Sequence, residues 1–135
     1  MKKTVMVMGT GAQGGTIAMR LNDEPNVEKI ICADYDLKTA ARYEKMLHKA
    51  VAVKVDARNA DEIMEASRGA WMIVNGLPPD FNSAVMDAAL KNNLHYQDMA
   101  SGPVEGVDFV GAVKRQLALD KKFKAAGLSA LINTG

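Results

Sequence analysis

The 135 residues suffice for one domain with a real core and are few for two. Hydrophobic side chains make up 48% and charged ones 24%, an ordinary globular balance. Seventeen basic residues against sixteen acidic ones leave a net charge of +1, which removes the electrostatic case for a nucleic-acid or anionic-membrane partner. Cys32 is the single cysteine, so an internal disulfide is excluded, and it reads as a small buried strand residue. Met1-Lys2-Lys3 opens the chain, but glycines interrupt the apolar run that follows. Neither a secretory segment nor a membrane span is expected, and a cytoplasmic location is.

Thr4 to Met8 is suited to a buried strand and runs straight into Gly9-Thr10-Gly11-Ala12-Gln13-Gly14, a G-x-G-x-x-G spacing. A helix from Ala12 to Leu21 follows, with Ile17, Ala18 and Leu21 on one face. Strand, glycine turn and helix N-terminus together form the phosphate-cradling unit of a dinucleotide fold. In that unit Gly9 permits the turn, Gly11 leaves room for a pyrophosphate, and Gly14 lets helix pack close on strand. Asn22 to Asn26 turns the chain into a second strand, Val27 to Ala33, ending on Asp34. Asp36 is an N-cap candidate for a polar helix from Leu37 to about Lys49, which would carry His48 into solvent.

Val51 to Val55 reads as the third strand, ending at Asp56. Asn59 to Arg68 reads as the third helix, with Ala60, Ile63 and Met64 inward and Gly69 ending it. Ala70 to Val74 is the fourth predicted strand. Asn75-Gly76-Leu77-Pro78-Pro79 is a loop, since two prolines exclude strand continuation. A fourth helix is predicted from Phe81 to Lys91, with Ala84, Val85, Ala88 and Ala89 as its packing face. Leu94 to Gln97 is a short fifth strand ending at Asp98. A single long helix is predicted from Val107 to Ala126, carrying Phe109, Val113, Leu117 and Phe123, with Gly127 beyond its end. Leu128 to Ile132 is the sixth strand. Alternating βα units with near-continuous apolar strands predict an α/β fold, a doubly wound parallel six-stranded sheet of Rossmann type with strand order 3-2-1-4-5-6. Residues 1–135 are expected to form one dinucleotide-binding domain.

Candidate site residues gather at predicted strand ends. Asp34 stands where a carboxylate accepts hydrogen bonds from the adenosine ribose and repels a 2′-phosphate, which favours NAD while leaving NADP open. Tyr35 either lies against the adenine or faces solvent. Asp56 and Ala57 either meet the adenine edge or form an Asx-turn closing the corner through Arg58 and Asn59. Asn75, Gly76, Leu77 and Pro78 lie beside the reversal of strand order, where ligands of open sheets sit, with Gly76 admitting the cofactor and the prolines stiffening the nicotinamide side. Asp98 and Ser101 follow strand five, near the meeting point of nicotinamide and substrate. His95 lies inside a strand, and two separated histidines with one cysteine assemble neither a metal site nor a catalytic triad.

These motifs resemble the N-terminal NAD(P)-binding domain of the saccharopine dehydrogenase family along the whole chain. The matching pieces are Val7 to Gly14, Ala33-Asp34, Val55-Asp56, Ile73 to Pro79, His95 to Asp98, and Ala126-Gly127-Leu128 into Asn133-Thr134-Gly135. The resemblance implies hydride transfer between a nicotinamide cofactor and the carbon of a C–N bond in an amino acid or opine, with saccharopine and lysine dehydrogenases as the nearest types. By the same resemblance Gly9, Gly11 and Gly14 hold the pyrophosphate, with Ala12 and Gln13 between them, Asp34 the ribose, and Asn75 to Pro78 the nicotinamide side. Family enzymes continue into a substrate domain that nothing here matches, so the catalytic residues are unassigned and the isolated domain is expected to be inactive. The partner implied is an amino-acid or opine substrate in a longer protein, within amino-acid metabolism, and a homodimer is compatible with it. The alternative is a regulatory domain that senses NAD(H) without turnover. A flavin- or SAM-binding relative fits the glycine loop less well.

Overall fold

The computed structural model describes residues 1–135. Its elements in chain order are β1 (Lys3–Met8), α1 (Ala12–Asn22), β2 (Val27–Asp34), α2 (Leu37–Met46), β3 (Ala50–Lys54), α3 (Ala60–Ser67) and β4 (Met72–Asn75). A 3₁₀ turn (Pro79–Phe81) then precedes α4 (Asn82–Lys91), β5 (His95–Asp98), α5 (Phe109–Leu117), α6 (Asp120–Ala125) and β6 (Ala130–Leu131). All strand pairs are parallel, and the sheet order is β3-β2-β1-β4-β5-β6, the order expected from the sequence.

The unbroken apolar runs serve two cores at once. Successive strand side chains point to opposite faces. Val5 and Val7 of β1 join Ile30 and Cys32 of β2, Ala18 of α1 and Ala40 of α2 on one face. Met6 and Met8 join Ile31, Ala33 and Ile73 against Ile63 of α3, Val85 and Met86 of α4, and Phe123 of α6 on the other. A strand buried on both sides has no polar alternation to show, which is why these runs read as parallel.

Several boundaries depart from expectation, each for a local reason. Helix α2 ends at Met46, not Lys49. Leu47 turns to extended backbone (φ −118°, ψ 126°) and buries its side chain in the face shared with α1. His48 is therefore off the helix. It is exposed as expected, and its Nδ1 lies 3.2 Å from Asn22 Nδ2. The single long helix after Val107 is two helices. The chain kinks at Ala118-Leu119, so that Phe123 reaches the core while Phe109 and Leu117 remain exposed and Ala112 and Gln116 take the inward positions. Ala84 and Ala60 face solvent, and Met86 packs in their stead. Strand β4 begins only at Met72, because Ala70 is bonded back to Ser67 in a turn. Strand β6 keeps only Ala130 and Leu131, between a left-handed Gly127 (φ 69°) and a left-handed Asn133 (φ 58°). No helix is long and apolar enough to cross a membrane.

Candidate functional site

The carboxyl ends of β1, β2 and β4 converge, with Met8 in register with Ala33 on one side and Asn75 on the other. Out of this edge rises the glycine loop. Gly9 takes a positive φ of 82°, and its N–H donates to the Ala33 carbonyl at 2.8 Å. A side chain at Gly14 would sit on the Gly9 carbonyl oxygen and 3.3 Å from Val7 Cγ1, so Gly14 sets the close approach of α1 to β1, as expected. Gly15 carries a similar constraint that sequence did not disclose, since a Cβ there would strike the Tyr43 hydroxyl. Around Gly11 the situation is reversed. A Cβ built there meets nothing within 4 Å. Gly11 caps α1 without any side-chain hydrogen bond to the helix, and no acidic residue stands in the first turn. Ala12 and Gln13 are exposed there. An uncapped helix N-terminus facing open space carries unpaired N–H donors and the positive end of the helix dipole, so the donor set fits an anion such as a pyrophosphate.

Next to the loop lies a cleft of about 380 Å³ lined by Met8, Asp34, Tyr35, Val55, Asp56, Ala57, Arg58, Leu77 and Phe81. Five predicted site residues, Asp34, Tyr35, Asp56, Ala57 and Leu77, thus share one apolar-floored wall. Phe81 was not foreseen, because its place in the cleft depends on the 3₁₀ turn after Pro78. Tyr35 is 61% exposed, with Lys54 Nζ 5.6 Å and the Arg58 guanidinium carbon 5.5 Å from its ring centroid. Asp56 takes the Asx-turn alternative. Its Oδ1 accepts from Arg58 N–H at 2.9 Å, and the Arg58 guanidinium closes on both carboxylate oxygens at 2.8 and 2.9 Å. Those hydrogen bonds hold the Asp56 carboxyl below its usual range. The same pairing commits Arg58, the one guanidinium of this wall, to Asp56.

Asp34 is held from two sides. Its Oδ2 accepts the Thr10 backbone N–H at 2.8 Å and the Thr10 hydroxyl at 3.0 Å, and its Oδ1 accepts Asp36 N–H at 3.0 Å. Thr10 is a residue that sequence left unassigned. It occupies a variable position of the glycine motif, and only the pairing of β1 with β2 brings it against Asp34.

In the loop after β4 and at the end of β5, Asn75 and Asp98 are enclosed. Asn75 is fully buried and turned away from the cleft. Its Nδ2 donates to Asn82 Oδ1 at 2.9 Å, and its Oδ1 accepts Leu77 N–H at 3.2 Å. Gly76 is confined by the protein itself, because a Cβ there would lie 2.9 Å from the Gly9 carbonyl oxygen and 3.2 Å from Gly14 Cα. Pro78 is exposed and leads into the 3₁₀ turn. Asp98, expected at the nicotinamide, is 1% exposed. It accepts from the Tyr96 hydroxyl at 2.9 Å, Gln116 Nε2 at 2.6 Å and Asn133 N–H at 2.6 Å. Burial, with the Asp98 charge beside it, pushes the Tyr96 hydroxyl far up, so Tyr96 stays a proton donor. Ser101 belongs to the same network, donating to Gln116 Oε1 at 2.6 Å. A buried carboxylate without a cation must be satisfied by dipoles, and these three donors do so. Asn75 and Asp98 thus shape the loops rather than face the cleft. His95 stands at the opposite end of β5, its Nδ1 accepting Ser129 N–H at 3.0 Å and its ring 4.8 Å from that of Trp71.

Known structures share this fold. Apo saccharopine dehydrogenase (L-Glu forming) from Saccharomyces cerevisiae superposes with a TM-score of 0.77 at 16% identity, covering 98% of this chain and 27% of that one. GenD2 from gentamicin A biosynthesis, solved with NAD, gives 0.69 at 17% identity over 97% of this chain and 34% of its own. Triphenylmethane reductase from Citrobacter sp., solved with NADP(H), gives 0.66 at 15% identity over 96% and 48%. At these identities the likeness establishes the fold, and the chain spans less than half of each of these proteins. The sequence itself matches the family described as the saccharopine dehydrogenase NADP binding domain over residues 5–131. Sheet order, glycine loop and family match agree, and the chain is an NAD(P)-binding domain that belongs to the saccharopine dehydrogenase NADP-binding domain family.

Proposed function

We propose that this domain is the cofactor half of an oxidoreductase that moves a hydride between NAD(H) and the carbon of a C–N bond in an amino acid or opine. The observation that carries the cofactor part is the open space at Gly11, set between the uncapped N-terminus of α1 and the cleft containing Asp34. In this reading Gly9, Gly11, Ala12, Gln13 and Gly14 take the pyrophosphate, Asp34 the ribose, and Tyr35, Ala57 and Phe81 the adenine. Leu77 and Pro78 wall the nicotinamide side, over loops set by Asn75, Gly76 and Asp98. When bound, the dinucleotide supplies the hydride acceptor or donor at its nicotinamide ring. NAD(H) is favoured over NADP(H), because Asp34 is an ionised acceptor beside the 2′ position and Arg58 is already paired to Asp56.

Substrate class rests on family membership alone, and the amino-acid or opine would be held by parts of the protein beyond this domain. Neither Asp98, which is enclosed, nor His95, which lies at the far end of its strand, is placed to take a proton from an amine at the cleft. That feature favours binding without turnover by the chain alone, and it equally suits a domain that senses NAD(H) for a partner. Fluorescence titration with NADH and NADPH tests the cofactor assignment. Tighter binding of NADPH by the wild type would overturn the preference. Incubation with NAD⁺ and a panel of saccharopine, lysine and related opines, followed by NADH absorbance, tests activity. Turnover above roughly 1 s⁻¹, an ordinary enzyme rate, would show that the chain completes a catalytic cleft unaided.

A further inference from the structure

We infer that Thr10 is a cofactor-specificity residue acting through Asp34: it holds the carboxylate in one orientation, as a ribose acceptor that a 2′-phosphate cannot push aside. The inference rests on the NAD(H) reading above.

Thr10 is 1% exposed, and its hydroxyl has Asp34 Oδ2 as its hydrogen-bond partner. Oδ2 therefore takes two donors from one residue, the Thr10 N–H and O–H, at 2.8 and 3.0 Å. Oδ1 takes a third, Asp36 N–H, at 3.0 Å. A carboxylate offers about four lone-pair sites, and three of them are taken by these donors. The capacity that remains lies on Oδ1, on a residue that lines the cleft. One backbone N–H alone would allow the carboxylate to pivot. The second donor on the same oxygen removes that freedom, and the Asp36 N–H anchors the other end.

The carboxylate therefore cannot make way for a phosphate by a rotamer change. To do so it would abandon a buried hydroxyl, leaving Thr10 Oγ1 without an acceptor, which carries its own desolvation penalty. The backbone that presents Thr10 is equally fixed, since Gly9 N–H is bonded to Ala33 O and Gly76 N–H to Met8 O, both at 2.8 Å. A threonine at this variable position of the glycine motif thus joins the pyrophosphate loop to the ribose-reading residue, and discrimination at the 2′ position depends on both.

The test measures Kd for NADH and NADPH in Thr10→Val, Thr10→Ser and Asp34→Ser, and in the Thr10→Val/Asp34→Ser double variant. Thr10→Val keeps the backbone donor and the side-chain shape but loses the hydroxyl. Its preference for NADH over NADPH should fall about tenfold, the size of one hydrogen bond to a charged group. Thr10→Ser, which retains the hydroxyl, should restore the wild-type ratio. In the Asp34→Ser background, adding Thr10→Val should change the ratio by less than about twofold, because a residue that acts through Asp34 has nothing left to orient. Thr10→Ala substitutes for Thr10→Val if the latter melts far below wild type. A folded Thr10→Val or Thr10→Ala protein with an unchanged ratio overturns this inference and leaves the NAD(H) reading in place. So does an equal, additive loss in the double variant. A wild type that binds neither dinucleotide, or prefers NADPH, overturns both.

Discussion

Two glycines three residues apart in the same motif should fail in opposite ways. At Gly14 an added Cβ falls on the Gly9 carbonyl oxygen, 2.9 Å from the carbonyl carbon and 3.3 Å from Val7 Cγ1. The nearest atoms are backbone, and that backbone has nowhere to go. Gly9 is tied to β2 through Ala33 O, and Gly76 stands so near on the other side that its own Cβ position is 2.9 Å from the same oxygen. Overpacking of this kind typically costs about 1–3 kcal/mol, and an unyielding backbone neighbour places Gly14→Ala at the upper end. With a melting entropy of about 2.1 cal/mol/K per residue, a loss of roughly 3 kcal/mol lowers the Tm of a domain this size by about 10 °C. At Gly11 the added methyl meets nothing within 4 Å, and the backbone φ of −70° suits alanine. Gly11→Ala should therefore leave Tm unchanged or raise it by up to about 3 °C, since it restricts the unfolded chain. It should still weaken NADH binding at least about tenfold, because the methyl occupies the space assigned to the pyrophosphate. Differential scanning calorimetry and isothermal titration calorimetry on the two variants give both numbers. A Gly14→Ala protein melting within about 2 °C of wild type would refute the packing argument. Unchanged NADH affinity in folded Gly11→Ala and Gly11→Val proteins would refute the site.

Three further outcomes are expected. Asp34→Ser should narrow or invert the preference for NADH over NADPH, read by fluorescence titration. A variant that keeps the full preference would remove Asp34 from the ribose site. Asp98→Ala leaves the buried Tyr96 hydroxyl, Gln116 Nε2 and Asn133 N–H without their acceptor. It should cost about 3 kcal/mol or more in urea unfolding, and a loss below about 1 kcal/mol would contradict the network. Cys32 is wholly buried, and burial, helped by Glu44, pushes its thiol from 9.0 up to about 11. The native protein should thus resist thiol reagents at pH 8 until unfolded. Because the folded value lies above the unfolded one, its contribution to stability is intact below pH 9.0 and declines as the pH rises towards about 11. A Cys32→Ala variant lacking that extra alkaline loss checks the sign.

Local chemistry was legible in the sequence wherever one residue type serves one local purpose. Apolar runs of strand length, glycines at turn spacing and a capping residue such as Asp36 mark β1 to β5 and the first four helices. Parallel order then follows, since short βα units admit few topologies. The glycine motif and Asp34 were legible as candidates in the same way, because their spacing reflects the strand that lies between them. What only the tertiary structure decided depends on which side of a strand end a polar group turns toward. Asn75 and Asp98 end their strands just as Asp34 does, yet they point into a space closed by Asn82, Tyr96, Gln116 and Asn133. Asn82 and Gln116 come from helices and Asn133 from the chain after β6, so no local pattern encodes the enclosure. The kink at Ala118-Leu119 has the same origin. Helical periodicity continues through it in sequence, and only the folded chain shows two helices with Phe123 of the second in a core built by distant strands. Thr10 is the sharpest case. By sequence it is filler between two glycines, and its meaning arises only when β1 pairs with β2 and sets its hydroxyl 3.0 Å from a carboxylate 24 residues away. Propensity and periodicity record what a residue does to its own neighbourhood, whereas hydrogen bonds between elements exist only after packing has brought them together.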